Sequence, residues 1–459
     1  SRPMAGSLAA PPAGDWGLGW RHGVCALVCL IVLICYADRT NIGIVLAQSS
    51  FPGIGASDKG TVLSSFFVGY FLTQIPGGYL ARTRGAKVTL LLAAAVWTAF
   101  DVLTPFAARL GLVPLVLVRI GMGLGEGMTF PAQHALASFW VPTQERSFLV
   151  MFMTSGQDIG SVLANVVSPR LAEAATWLVF AAWGSVACVW CLAFLALAAS
   201  APEVHGPCTR SGEAAWVQGN RKAGAFEEVR RAREAMIPRR LLREPCIWAI
   251  FAGHVGVNYS WYVMLSWMPT YFEGLFALRL ADNPVTLAAP YLSSWVGGLI
   301  AGKLADVLIA RGVRTRHARK AMQVFGAVGS AFFVQLAARA SGPSWGAVWV
   351  SSALFFGRFQ TAGYWVNMVD VCQESASVVM GMSNTVATIP GIVGQPITQA
   401  ILDWAGGAHS ERAWSIVFGV GGVVALVAAA VFAALADDVN LDRRRTGAEE
   451  HMSSELLPA

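Results

Sequence analysis

Two charged residues stand where an apolar chain carries few. In Ile34-Cys35-Tyr36-Ala37-Asp38-Arg39-Thr40-Asn41-Ile42, Asp38 and Arg39 interrupt a run that begins near Val24 and resumes at Gly43. An arginine at the centre of a membrane helix costs roughly 2.5–3.5 kcal/mol on insertion scales, so it persists only when it faces protein or a watery cavity. The alternative is a short loop between two half-length segments, although neither half approaches the ~20 residues needed to span. Arg119 and Glu126 form a second pair, in Val118-Arg119-Ile120-Gly121-Met122-Gly123-Leu124-Gly125-Glu126-Gly127. Seven residues apart, they share one helix face, two turns apart. The guanidinium offers a bidentate fork to a carboxylate or phosphate, and a glutamate in a low-dielectric cavity can carry a proton. Together they read as an anion site beside a protonatable acid, or else as an intramembrane ion pair that ties helices together. Arg39 and Arg119, with Tyr36 beside the first, are therefore candidate anion ligands, and Glu126 and Asp38 candidate proton or cation sites.

Other polar groups sit in apolar stretches further along. His254, Asn258, Tyr259, Ser260, Trp261 and Tyr262 precede Met268-Pro269, and Pro269 is expected to end or kink its helix. Arg358, Tyr364, Asn367 and Asp370 follow, then Asn384, Gln395 and Gln399. Asn258, Tyr262, Tyr364 and Asn367 join the substrate-binding candidates, whereas Asn384 and Gln395 can bond between helices without a ligand. Asp158 is a further candidate that a pairing with Arg358 explains equally well. The alternating Gly121, Gly123, Gly125 and Gly127 follow no strand and lack dinucleotide-fingerprint spacing; they read as tight helix packing. His134, near the end of its stretch, reads as structural. Cys188 and Cys191 form a C-x-x-C without a second Cys/His pair nearby, so no metal or redox site is expected.

The elements that must position these groups are helices. Of 459 residues, 55% are hydrophobic and 13% charged, with mean hydropathy +0.54; soluble domains carry about 25% charged residues. This is an all-α polytopic membrane protein. Twelve apolar stretches fall near 20–48, 59–80, 87–107, 112–140, 146–171, 177–199, 245–273, 287–310, 320–338, 344–370, 376–403 and 412–436. Residues 1–19, rich in Ala, Pro and Gly, read as a disordered segment without a secretory h-region. A six-helix bundle over 20–200, a basic linker over 201–243, a second bundle over 244–436 and a polar tail over 437–459 complete the organisation. Of the 33 Lys and Arg, 23 lie on the side of the termini and central linker and six on the other. That side therefore faces the cytoplasm or its equivalent, and the net charge of +6 is topological, with no nucleic-acid partner implied. The cluster Arg230-Arg231-x-Arg233 sets topology, with lipid head groups as an optional partner.

Gly78-Tyr79-Leu80-Ala81-Arg82-x-Arg84-Gly85 ends the second stretch, and Gly302-Lys303-Leu304-Ala305-Asp306…Arg311-Gly312 ends the eighth. The echo implies duplicated bundles related by an axis along the membrane normal. It makes Arg82, Lys303 and Asp306 candidates for gating or interface roles.

As a set, several motifs resemble the anion:cation symporter family of the major facilitator superfamily. They are Asp38-Arg39-x-Asn41, Phe66-Phe67-x-Gly69-Tyr70-x-x-Thr73-Gln74-Ile75-Pro76-Gly77-Gly78, Arg119…Gly125-Glu126-Gly127-x-Thr129-x-Pro131-Ala132-x-His134, Glu145-Arg146-Ser147, Pro269-x-Tyr271-Phe272 and Gly381-x-Ser383-Asn384. The resemblance implies twelve transmembrane helices in the major facilitator fold, with Arg39 and Arg119 on the substrate anion and Glu126 coupling it to a proton. Leu265-Ser266-Trp267-Met268-Pro269-Thr270-Tyr271-Phe272, Arg319-Lys320-x-Met322-Gln323 and Gly391-Ile392-Val393-Gly394 look most like the plant plastid phosphate/ascorbate branch. Leu63 and Val257 stand where vesicular glutamate transporters carry His and Arg, which argues against glutamate, and Ala81 replaces an Asp common in the superfamily.

The expected function is secondary active anion transport by alternating access, coupled to H⁺ or Na⁺ without a cofactor. Inorganic phosphate is the first substrate, and ascorbate or another carboxylate the second. The protein is expected to work as a monomer, in a plastid or other organelle membrane rather than the plasma membrane. An anion channel or a non-transporting sensor on the same fold is the competing class. An enzyme is not expected, because no nucleophile–base–orienter set or metal-ligand spacing is visible.

Overall fold

The computed structural model describes residues 17–48, 51, 53–142, 145–220, 241–372, 376–439 and 441, excluding the side chains of 82, 146–148, 151, 369 and 376–378. Each of the twelve apolar stretches is helical among these residues. The helices are α1 Trp20–Ala47, α2 Lys59–Thr83, α3 Ala86–Leu110, α4 Leu112–Glu126, α5 Thr129–Trp140, α6 Arg146–Ala174, α7 Thr176–Leu197, α8 Gly206–Arg210 and α9 Glu213–Asn220. After the central segment come α10 Pro245–Phe276, α11 Pro284–Ala310, α12 Thr315–Ala338, α13 Pro343–Gly357, α14 Val366–Val371, α15 Ala376–Val386, α16 Ile389–Ala405 and α17 Glu411–Leu435. Among the described residues, seven spans are long and apolar enough to cross a membrane: α1, α3, α4 with α5, α7, α11, α12 and α17. Among the rest, α2 and α6 carry the Ser64, Gln74, Asp158 and Asn165 that turn inward. Leu103, Phe106, Val189, Leu192 and Phe332 are exposed on the outer surface, an apolar rim that hydrocarbon would cover.

Glycines decide how closely the helices approach. On α4, Gly121 and Gly125 face α3, where an added Cβ would lie 2.5 Å from the Phe100 ring and 2.6 Å from Trp97 N. Gly123 and Gly127 face α2; a Cβ at Gly123 would stand 2.0 Å from the Phe66 carbonyl, and one at Gly69 2.0 Å from the Ile120 carbonyl. The four alternating glycines thus let α4 wedge between two neighbours at backbone contact, as their spacing implied. Gly156 and Gly160 do the same for α6 against α1.

Helices α1–α7 pack among themselves and α10–α17 among themselves, and the two groups meet where α1 packs on α10, α2 on α15 and α16, α5 on α15, and α6 on α11. Gly43 meets the Ser266 carbonyl, Ser64 Oγ donates to the Ile392 carbonyl at 2.7 Å, and Arg358 Nη2 donates to Asp158 Oδ1 at 2.6 Å. The pairing of Asp158 with Arg358 is therefore realised.

Three points refine the sequence reading. Of the two readings of Asp38 and Arg39 the loop is excluded, since α1 runs unbroken through them. Pro269 does not end its helix either; α10 continues to Phe276, as proline is tolerated where neighbouring helices re-satisfy the freed backbone. Finally, residues 201–220 are more than linker. Glu213 accepts from the backbone N–H groups of Trp20 (2.7 Å) and Arg21 (3.2 Å), capping the start of α1. Arg21, fully buried, also binds Glu145 (2.6 Å) and Glu213 (2.9 Å) and lies 4.8 Å over Trp216. The remainder of the basic linker, including Arg230, Arg231 and Arg233, lies outside the described residues, as do 1–16 and most of the tail.

Candidate functional site

The site begins with three helices held together by glycine. The α2–α4 crossing at Gly69 and Gly123 sets the Phe66 ring beside α4, and the α3–α4 crossing at Gly125 brings α3 to the same depth. At that depth α4 stops at Glu126, and after Gly127 and Met128 the chain resumes as α5. Arg39 from α1 completes the group. Its Nε donates to Glu126 Oε2 at 2.5 Å, and Cys35 Sγ donates to the same oxygen at 3.0 Å. The Arg39 guanidinium lies 4.5 Å from the Tyr70 ring, 4.8 Å from Tyr36 and 5.0 Å from Phe66. Its two terminal nitrogens are buried without an acceptor.

Arg119 lies 5.2 Å from the same Phe66 ring. Its Nη1 meets only the Met122 sulfur at 2.8 Å, and its Nε has no partner. A guanidinium bonded to a thioether forgoes the charge-assisted bonds it can make with an oxyanion. Both arginines thus hold uncommitted donors against one phenyl ring, and cation–π contact stabilises the charges meanwhile.

Two more carboxylates complete the charge set. Asp38 is buried on α1. Asp101, in the middle of α3, is fully buried, neither oxygen has a hydrogen-bond partner, and Arg119 and Glu126 act on it electrostatically. Sequence reading missed Asp101. The signal was present, a lone acid in the apolar run Leu91–Leu110, and the reasoning applied to Arg39 would have caught it.

The other candidates divide. Tyr262 comes to the edge of the cluster from α10: its ring lies 4.5 Å from Phe67, and its hydroxyl accepts from Asn258 Nδ2 at 3.2 Å. Asn258 also donates to the Ala387 carbonyl at 3.0 Å, at the break between α15 and α16. Tyr364 is stacked on His254 with centroids 4.9 Å apart, within a π-turn over Thr361–Trp365. Asn367 is tied by its Nδ2 to the Asp437 carbonyl at 2.8 Å. Lys303 and Asp306 are exposed on α11, and Gly302 has open space around it, so no close helix approach occurs there in this conformation. The Arg82 side chain lies outside the described residues. His134 meets the Phe130 carbonyl through Nδ1 at 2.9 Å. The eight cysteines are free thiols.

Residues 28–395 match the Major Facilitator Superfamily over most of the chain. The chain belongs to that superfamily. Its curated relatives place it in the anion:cation symporter branch. The chloroplastic ascorbate transporter of Arabidopsis thaliana is 33% identical over 416 residues, covering 90% of this chain and 74% of that protein. The chloroplastic sodium-dependent phosphate transport protein 1 of Arabidopsis thaliana is 33% identical over 386 residues, covering 83% and 74%. Human sialin is 31% identical over 384 residues, covering 82% and 75%. Among solved structures, an inward-facing bacterial homolog of the human lysosomal transporter Spinster superposes with TM-score 0.68 at 16% identity, over 92% of this chain and 98% of that one. A D-xylose-proton symporter gives 0.65 at 16% identity, over 91% and 98%; both show the fold alone. A superfamily of transporters fits the absence of any expectation of enzyme chemistry from the sequence.

Proposed function

We propose that this superfamily member is a secondary active transporter that carries an anion by alternating access, with inorganic phosphate as first substrate and ascorbate or another carboxylate as second. The observation that carries the reading is the pair of under-committed guanidiniums, Arg39 and Arg119, on the Phe66 ring with Glu126 bound to one of them. An anion entering between the bundles would take the free donors of both arginines. It competes with Glu126 for Arg39, so a proton on Glu126 favours loading and its loss after the bundles rock favours release. H⁺ or Na⁺ drives the cycle; the direct Glu126–Arg39 bond favours H⁺, with Asp38 the accessory site. All twelve helical stretches cross the bilayer, and Lys303, Asp306 and Arg82 act at the moving faces. The names of the Arabidopsis relatives support a plastid membrane.

The test is uptake of radiolabelled phosphate and of ascorbate into proteoliposomes, with and without an imposed pH or Na⁺ gradient. Saturable uptake, accelerated by one gradient and lost in Arg119→Ala, is expected. Uptake unchanged in Arg119→Ala overturns the substrate site, and non-saturable flux indifferent to both gradients makes the protein a channel.

A further inference from the structure

Asp101 has no part in the scheme above, yet no buried acid in the molecule is placed more suggestively. It lies at the centre of α3, wholly out of contact with solvent, with both carboxylate oxygens unbonded. Buried polar groups are nearly always satisfied, and an exception calls for a reason. Trp97, one turn before Asp101 on α3, and the adjacent Phe100 pack on Gly125 and Gly121 of α4, so this part of α3 lies against the α4 segment that carries Arg119, itself uncommitted at Nε. We propose that Asp101 is a proton-binding site linked to the anion through Arg119: the carboxylate and the anion compete for one guanidinium, so Asp101 takes up a proton when an anion occupies Arg119 and releases it when the anion leaves. The inference rests on the anion reading of Arg39 and Arg119.

The charge count supports it. Asp38, Asp101 and Glu126 are buried and act electrostatically on Arg119, and Glu126 also binds Arg39, which leaves the five groups formally one negative charge in excess. Adding an anion deepens the excess unless a carboxylate is protonated, because a nearby like charge disfavours the ionised form. Glu126 already holds Arg39 and accepts from Cys35; Asp101 holds nothing. The remaining titratable groups around α3 do not compensate. The buried face of α7 carries no titratable group, its thiols Cys188 and Cys191 being exposed and half-buried, α5 offers His134 at the Phe130 carbonyl, and α2 brings Tyr70, which lies against Arg39. Linkage is reciprocal, so the proton must strengthen anion binding as much as the anion strengthens proton binding. That is the sign required for symport.

The experiment is calorimetry of anion binding to the purified full chain in buffers of different ionisation enthalpy, which counts protons taken up per anion. The probes are inorganic phosphate and ascorbate, the latter a fixed monoanion near neutral pH. Wild type is expected to take up protons on binding. Asp101→Asn should still bind but take up fewer, by as much as one per anion, and Asp101→Glu should restore the uptake. In gradient-driven transport, the loss of one coupled proton lowers the limiting accumulation about tenfold per pH unit of gradient. Infrared difference spectra of wild type provide a readout that needs no variant: a protonated-carboxyl band that grows on anion addition and shifts with ¹³C-aspartate labelling. Equal proton uptake in wild type and Asp101→Asn, or a band insensitive to aspartate labelling, overturns the proposal while the anion site stands. If neither probe binds wild type, the anion reading falls and this inference with it.

Discussion

Replacing Glu126 with Gln separates the two roles of the bond to Arg39. Glu126 is nearly isosteric with Gln, and the new amide carbonyl can still accept from Arg39 Nε where the carboxylate accepts now, at 2.5 Å. What changes is the charge. A hydrogen bond to a charged group contributes about 1.5–3 kcal/mol and a weaker, less charged one about 0.5–1.5, so Glu126→Gln relaxes the hold on Arg39 by roughly 1–1.5 kcal/mol. An anion that competes for the same guanidinium should therefore bind about five- to tenfold more tightly in the variant, and removal of a neighbouring negative charge acts in the same direction. The Ala variant is the wrong probe, because stripping one partner from a buried ion pair costs about 3–5 kcal/mol and threatens the fold. Equilibrium binding of radiolabelled phosphate to detergent-purified protein near neutral pH measures the effect. Transport should move the opposite way, with gradient-driven uptake slowed because release no longer benefits from deprotonation. Weaker or unchanged binding in Glu126→Gln refutes the competition between acid and anion.

Other perturbations follow from the packing. Gly123→Ala puts a Cβ 2.0 Å from the Phe66 carbonyl, so α2 and α4 must separate; a loss of about 1–3 kcal/mol is expected in thermal unfolding, against no change for Gly302→Ala, where space is open. Arg358→Ala removes the largely buried cross-bundle pair with Asp158; a hydrogen bond between charged groups contributes about 1.5–3 kcal/mol, so the conformational equilibrium should shift by about tenfold or more, readable by spin-label distances between the bundles. At the face bearing the termini, the bond from Arg21 holds the Glu145 carboxyl below its ordinary value of 4.5. A depressed carboxylate stabilises the fold above that value, and the contribution fades as pH falls through the lower folded-state value. Unfolding temperature should therefore drop more steeply on the acid side in wild type than in Glu145→Gln, which has already lost the charge.

Much of this was legible in one chain. Apolar runs long enough to span located the helices, and a charge inside such a run must face protein, so Arg39, Arg119 and Glu126 were singled out before any contact was known. Their meeting at Phe66 was not legible, because it depends on how α1 and α4 rotate, and glycine contacts set that rotation. Tyr364 and Asn367 show the converse. Polarity within a stretch says that a residue turns inward but not toward what; here the partners are His254 and the Asp437 carbonyl. Breaks at Gly127, at Ala387–Thr388 and in the π-turn escaped notice, since they arise where helices wrap a polar centre rather than from local propensity. Asp101 escaped because no motif flanks it.

The central claim is that Arg39 and Arg119 together hold the transported anion. A cryo-electron microscopy structure of the protein in saturating phosphate tests it most directly. Density for one tetrahedral anion bridging the two guanidiniums beside Phe66, with Arg39 withdrawn from Glu126, is the expected result. Phosphate bound at Arg358 or elsewhere, with the Arg39–Glu126 bond intact, contradicts it.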